Sequence, residues 1–581
     1  MALIRTDISL APSNPNDRRL VCISQFLVAC GAFSDFRRGK YVEMMPSSLL
    51  NARGLVSISP GPLLGSTLAL VVFWAMRQSQ QRRLSWTSVP LPPRGYQHLP
   101  SASIAQTLIR VGMPAEQSTE DSAAFYDWVF ATTTRFHGKP WLLHHPGRPD
   151  VLVVSSPLAL EDIQRTFAVQ FEKVDNEAEG LAHDAHGGAI AQVYSGHTRP
   201  SVTIQRQRAV SVLGSPALRQ QASVLTKLHV GSLLRILGSN NAMDMTKLMR
   251  QFSMEVFAEL GFGLQLGALR SSNGESIKFE KAVDDVQERV AERASRSAVV
   301  WKLQRLLDVG SEAALSRSVD VVKSVTLEAV EAKRKRHRSD SGCESPIAGS
   351  RVDMLDLLLG QKCSSKSSRD PEFLAEFVLS LVVAARDSMA HTLTKCLQCL
   401  AQHPEEQEKL LCELKQAEEE GKDLQSVVRL DAVVKETLRL YPAKPFIRRR
   451  ARLNTVLSDG TFVAAGTEVV MDLYTMARRE NVWGPNSAQF RPQRWIDAAS
   501  GRLRPVSSYK FNAFLGGPRA CIGADIALAE IKTVIASVVT KVQLDAIEDD
   551  QRERLARGVQ CDEAVRLQVR RRGSNPPGQF S

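Results

Sequence analysis

Cysteine is used sparingly: nine residues in a chain of 581, an odd number at irregular spacing. That excludes the paired framework that staples small secreted domains and points to chemistry in a reducing compartment. Cys396 and Cys399 have the spacing of half a zinc site, but no second pair answers them, so they read as buried helical thiols. Strand patterns are also scarce, confined to "DVLVVSS" early and "GTEVVMDLY" late. A long apolar run is missing as well. The charge-free stretch from Leu63 to Met76 has 14 residues, whereas a spanning helix needs about 20. Extension back to Gly54 reaches that length but takes in Pro60 and Pro62, so a marginal membrane anchor and a buried or interfacial helix both fit.

What is present describes a large globular protein. Hydrophobic residues make up 43% and charged residues 23%, enough for a sizeable core and too apolar for disorder. The net charge of +12 suits an acidic protein partner or an anionic membrane surface. The run "KRKRHR", Lys333 to Arg338, reads as a solvated loop edge, and no nucleic-acid partner is expected. Residues 1–53 form an extension or targeting segment, 54–76 the candidate anchor, and 77–100 a basic, proline-rich linker. The basic "RQSQQRR" after the anchor favours a cytoplasmic downstream domain. The catalytic domain is expected over 101–550, with a tail over 551–581. Within it the pattern is mainly α with small β-sheets. "DMTKLMRQFSMEVFAELGF" predicts a helix stopping at Gly261, and "SDSGCESPIAGS" a polar loop. Pro371 to Pro404 predicts one long helix, apolar nearly all round and therefore central.

Near the end stands "FNAFLGGPRACIGADIALAE", with Cys521 at the mouth of a predicted helix. Alone, that thiol could be a core residue, a nucleophile with a helix-lowered pKa, or a metal ligand. No Gly-Lys-Ser/Thr follows the glycines, so they are not a phosphate cradle. Phe514, Gly517, Arg519, Cys521 and Gly523 together spell F-x-x-G-x-R-x-C-x-G. This resembles the haem-binding loop of the cytochrome P-450 monooxygenases. The resemblance implies the fold of that family, a haem b whose iron takes the Cys521 thiolate, glycines that let the backbone pass close to the macrocycle, Arg519 on a propionate, and Phe514 shielding the sulfur.

Other segments carry the same resemblance. "KETLRLYP" supplies Glu436 and Arg439, one face of a helix, and "FRPQRW" supplies Arg494 for a structural triad, with Gln493 where the family often has glutamate. "AARDSM" offers Asp387 and Ser388 as the acid and alcohol that hold water and pass protons to bound dioxygen, although Ala385, Ser388 and Met389 depart from the usual residues. The family's Trp-x-x-x-Arg has no counterpart: "SVTIQRQRAVS" gives Arg206 or Arg208 without a tryptophan. Stretches such as "MEVFAELGFG" and "YKFNAFLGGPRACIG", and Arg386, are similar to the fatty-acid (omega-) hydroxylase branch of plants, algae and fungi. That likeness implies oxygen insertion at or near the terminal carbon of an acyl chain. It further implies electrons from NADPH through a reductase docked on the basic face near Cys521, and an endoplasmic-reticulum membrane location with a cytoplasmic catalytic domain, or else a chloroplast or mitochondrion. Specificity is expected in divergent segments such as Val169 to Gly188. Two other readings stay open: a haem-thiolate isomerase or dehydratase of lipid peroxides, and a non-catalytic haem-binding member of the family.

Overall fold

The computed structural model describes residues 99, 101–103, 119–144, 150–174, 200–239, 241–269, 274–295, 298–339, 352–361, 370–547 and 564–572. The chain divides into Met1–Gln78 and Ser79–Ser581, and every described residue belongs to the second unit. The targeting segment and anchor candidate, nearly all of the proline-rich linker, the polar loop after Ser339, and residues 175–188 of the expected specificity segment lie outside the described residues. No described helix is long and apolar enough to cross a membrane.

The longer helices, in chain order, are α1 (Thr119–Arg135), α2 (Pro200–Leu213), α3 (Pro216–Leu237), α4 (Met245–Phe262), α5 (Gly274–Ser295), α6 (Gly310–Ser339), α7 (Pro371–Gln402), α8 (Pro404–Glu419), α9 (Val428–Leu440) and α10 (Ala524–Lys541). The strands are β1 (Ser101–Ser103), β2 (Trp141–His144), β3 (Val151–Val154), β4 (Phe171–Lys173), β5 (Ala242–Asp244), β6 (Phe446–Ala451), β7 (Thr455–Val456), β8 (Phe462–Val463), β9 (Glu468–Asp472), β10 (Val542–Ala546) and β11 (Arg566–Arg571). The main sheet runs β1-β2-β3-β9-β6-β4. Its centre is the pair of segments legible as strands: β3 and β9 lie parallel, with Val151 opposite Glu468. β6 is antiparallel to both its neighbours, β9 and β4. β11 pairs with β10 and β5, so the fold reaches past residue 550, where the tail was expected to begin.

The long apolar segment is the single helix α7, preceded by Asp370 and with Pro371 in its first turn. It crosses the largest core cluster, where Phe377, Val378, Leu393 and Cys396 are fully buried. Cys399 is buried beside Cys396, as expected of helical thiols, and burial pushes both thiol pKa values up. α4 packs against α7 and corrects one expectation. It runs through Gly261 and ends at Gly263, whose φ of +72° is the left-handed conformation of a helix stop. Gly261 instead serves the contact between helices. A Cβ there would stand 2.5 Å from Val382 Cγ2, so α4 and α7 meet at that position. The basic run is a second correction. Lys333 to Arg338 lies in the last turns of α6, and Lys333 is half-buried in ion pairs with Asp353 and Asp356, the latter at 2.6 Å.

α10 carries one buried acid. Glu530 is enclosed beside Thr226 of α3, and neither of its carboxyl oxygens has a hydrogen-bond partner. Burial, with the Thr226 hydroxyl opposing, pushes its pKa up to about 8. The unfolded chain releases that proton near pH 4.5 and the folded chain keeps it until about 8. The unfolded state therefore binds fewer protons in that window, so this group's contribution to stability is full below pH 4.5 and is lost as pH rises towards 8. We expect Glu530→Gln to flatten the fall in urea midpoint over that range; an unchanged slope would show that Glu530 is ionised in the fold.

Candidate active site

The loop before α10 is held from several sides. Cys521 N–H donates to the Phe514 carbonyl at 2.8 Å, closing the loop on itself. Gln164, in a π-helical turn over Asp162–Thr166, forms a reciprocal amide pair with Asn512 at 2.8 and 2.9 Å, and its Oε1 also accepts from Gly516 N–H at 2.7 Å. Gly517 has a φ of +67°, and a Cβ there would come within 2.1 Å of the Gln164 carbonyl oxygen, so only glycine fits. At Gly523 a Cβ would meet no protein atom within 4 Å, so packing against the protein does not require glycine there. Phe514 is half-buried against the core, and Arg206 of α2 donates to the Ala520 carbonyl at 2.7 Å.

Cys521 is accessible, yet protein encloses it closely enough that burial pushes its thiol pKa up, against the pull of the Gly523 N–H and the Arg206 charge. Its donors are those that favour a thiolate: a backbone N–H at the start of a helix and a nearby cation.

Behind the loop lies the carboxylate that takes the most hydrogen bonds among the described residues. Glu436 of α9 is fully buried, and its two oxygens take five donors. Arg439 gives two bonds, at 2.8 and 2.9 Å. Arg494 Nε at 2.7 Å, Arg491 N–H at 2.8 Å and Trp495 Nε1 at 2.9 Å complete the set. The guanidiniums continue outward: Arg439 donates to the Ala477, Ser487 and Gln489 carbonyls, Arg494 to Trp483 and Asn486. Trp495 then packs edge-on against Phe511, with ring centroids 4.9 Å apart, and Phe511 opens the cysteine loop. The expected triad is thus assembled, together with two donors, from Arg491 and Trp495, that the motif did not announce.

A second cluster is cationic. Arg519 Nη1 donates to the Phe171 carbonyl at 2.7 Å, while its buried Nε has no hydrogen-bond partner. Arg449 of β6 is buried, and burial followed by repulsion from Arg519 lowers its pKa to about 10. Arg519 is lowered in turn by burial and then by Arg206, with Glu172 opposing. Three guanidiniums sharing one desolvated region, one of them with an unused N–H, suit an anionic ligand edge such as paired carboxylates. The residues therefore fit a haem: a thiol for the iron and arginines for the propionates. Sequence reasoning missed Arg449, although strand alternation places it with Ile447 and Ala451 on one face of "FIRRRA".

On α7, Asp387 is half-exposed and accepts from Arg386 Nη1 at 3.2 Å. Arg386 is buried and also meets Asp284 of α5 at 2.6 Å. Burial raises the Asp387 pKa, with Arg386 and then Gln287 opposing. The Ser388 hydroxyl donates within its own helix, to Ala384 at 2.8 Å and Ala385 at 3.2 Å.

The family model for cytochrome P-450 matches residues 129–563, about three quarters of the chain, and the chain belongs to that family. It is therefore a haem-thiolate monooxygenase by class. Cytochrome P-450 CYP94D109 of Paris polyphylla is 28% identical over 417 residues, 68% of this chain and 79% of that one. Cytochrome P-450 94C1 of Arabidopsis thaliana is 30% identical over 58% of this chain and 68% of its own length. The alkane hydroxylase MAH1 of the same plant is 29% identical over 47% of this chain and 54% of its own.

Removing one partner from a buried charge network leaves the others uncompensated, which costs about 3–5 kcal/mol. We expect Glu436→Gln to lower unfolding free energy by about that amount in urea titrations. A loss below ~1 kcal/mol, the size of a single exposed pair, would contradict the role given to this carboxylate.

Proposed function

We propose that Cys521 is the axial ligand of a haem in this protein, and that the enzyme inserts one atom of dioxygen into a C–H bond of a long-chain fatty acid or related lipid. The observation that carries this is the accessible thiol at the start of α10, with Gly523 N–H directed to it and Arg519, Arg449 and Arg206 gathered beside the same loop. Haem, when bound, supplies dioxygen activation, favoured by an electron-rich thiolate. The chain's own residues do the rest. Gly517 lets the loop close on Gln164, Gly523 leaves open space beside the loop, and the arginines neutralise carboxylates that would otherwise be costly to bury. The lipid substrate class is supported by the relatives, one of them named as an alkane hydroxylase.

Asp387 and Ser388 are proposed to deliver protons. Burial raises the Asp387 carboxyl pKa against the pull of Arg386, and the neighbouring Ser388 hydroxyl can turn from the Ala384 carbonyl to a water. Electrons are proposed to come from NADPH through a reductase that docks on the basic side of the loop. Residues 54–76 are proposed to attach the enzyme to the endoplasmic-reticulum membrane, and deletion of residues 1–76 should then move it to the soluble fraction.

Reduced under carbon monoxide, the wild type should show the red-shifted Soret band of thiolate ligation, and Cys521→Ala should lose it. A wild type without that band sinks the ligand assignment. With reductase and NADPH, a long-chain fatty acid should gain one oxygen; consumption of lipid hydroperoxides alone, without NADPH, would favour an isomerase. Ser388→Ala should release more hydrogen peroxide per NADPH, and unchanged coupling would remove Ser388 from the proton path.

A further inference from the structure

One guanidinium of the central helix lies between two carboxylates. Arg386 of α7 meets Asp284 of α5 at 2.6 Å and Asp387 of its own helix at 3.2 Å. The two contacts differ in origin. Successive residues of a helix point about 100° apart, so Arg386 reaches Asp387 obliquely, through a single hydrogen bond from Nη1 to Oδ1. Asp284 comes from another helix and stands nearer. Glu280, Asp284 and Gln287 recur at helical spacing on α5, so one face of that helix brings polar groups to this part of α7.

The Arg386 side chain is 1% exposed, whereas Asp284 and Asp387 keep 44% and 40%. A buried cation is costly unless its charge is met, and a guanidinium has five donors to place. Here Nη2 meets Asp284 as a close charge contact rather than a directed hydrogen bond, and Nε makes no hydrogen bond. No other ion pair holds Arg386 among the described residues, so the loss of either acid frees the arginine towards the other. Further charges bear on the cluster: Glu280 of α5, Lys247, Arg250 and Glu255 of α4, and Lys444 ahead of β6. Arg386 pulls on Asp387 harder than Arg250 does, against the burial that raises the Asp387 pKa.

We propose that Asp284 is a positioning residue for proton delivery: it draws Arg386 away from Asp387 and so leaves the Asp387 carboxyl able to take a proton and pass it on. This rests on the reading of Asp387 as the proton relay, and it adds a residue on another helix that tunes the relay. Without Asp284 the guanidinium would turn wholly to Asp387, as a two-bond pair, and hold it as the carboxylate. Without Arg386 burial alone would govern the carboxyl, which would keep its proton to higher pH. Substitutions at the two positions therefore push the relay in opposite directions. Loss of a mere contact between helices would not do that.

Two measurements on the haem-loaded protein test this, with variants compared at an unchanged carbon monoxide band. The first needs no turnover: urea midpoints of Asp284→Asn, Asp387→Asn and the double variant. Each acid can stand in for the other, so the double variant should lose more than the two single losses combined; additive losses would show that Arg386 is not shared. The second is the pH profile of turnover with reductase and NADPH. Asp284→Asn should move the alkaline limb of kcat down by about one pH unit and release more hydrogen peroxide per NADPH at neutral pH. Arg386→Gln should move that limb up. A limb unmoved in Asp284→Asn, with only substrate affinity altered, would show that Asp284 merely ties α5 to α7 and would overturn the proposal, as would shifts of the same sign in both variants. Asp387→Asn separates the two layers. Wild-type coupling in that variant refutes the relay reading itself, whereas uncoupling there beside a wild-type profile in Asp284→Asn refutes only the role of Asp284.

Discussion

The site depends on one buried carboxylate. Glu436 is removed from water and would be expensive to ionise alone. It is stabilised by two guanidiniums, an indole N–H and a backbone N–H, which arrive from α9 itself and from the segment around Arg491 to Trp495. The donors from Arg491, Arg494 and Trp495 tie that less regular segment to α9. The region between Ala477 and Phe511 has little regular structure to hold its backbone, so the outward bonds of Arg439 and Arg494 take the place of a sheet ladder. Through Trp495 and Phe511 that rigidity reaches the loop carrying Cys521. The carboxylate makes no bond to the thiol itself; its link to the cysteine loop runs through Trp495 and Phe511.

The loop has a second clamp of a different kind. Gln164 and Asn512 are neutral, and their reciprocal amide bonds fix one orientation of the loop against the turn at Asp162–Thr166. Gly517 allows this closeness, because any side chain would collide with the Gln164 carbonyl. One clamp is ionic and tied to α9; the other is neutral and tied to the region beside the main sheet. Together they fix the loop, while Gly523 N–H and Arg206 favour the charged form of the sulfur. The cationic cluster of Arg519, Arg449 and Arg206 is the electrostatic counterpart, since its mutual repulsion is relieved only by an anion.

Much of this was legible in the sequence, for identifiable reasons. The loop around Cys521, the Glu436–Arg439 pair and the long apolar helix are local patterns, and local spacing in a sequence maps directly onto one face of one element. The two principal strands were legible because each is a short apolar run rich in valine. What escaped was non-local or context-dependent. Gln164 meets Asn512 across 348 positions, and nothing in either neighbourhood announces the other. Gly261 looked like a helix stop because glycine commonly is one, but it serves helix contact, and the stop is Gly263. The basic run at Lys333 looked solvated because its acidic partners, Asp353 and Asp356, lie beyond a long polar stretch. Arg449 sits among three arginines of one short strand, and its burial comes from the neighbouring strands β9 and β4, which lie far off in the sequence.

The central claim is that this architecture exists to hold one sulfur at a haem iron. X-ray absorption at the iron edge of the haem-loaded protein addresses it directly, since it counts the neighbours of the metal by element. The account predicts a single sulfur neighbour in the wild type, absent in Cys521→Ala. An iron surrounded only by nitrogen and oxygen in the wild type, or a sulfur neighbour that survives the loss of Cys521, would contradict it.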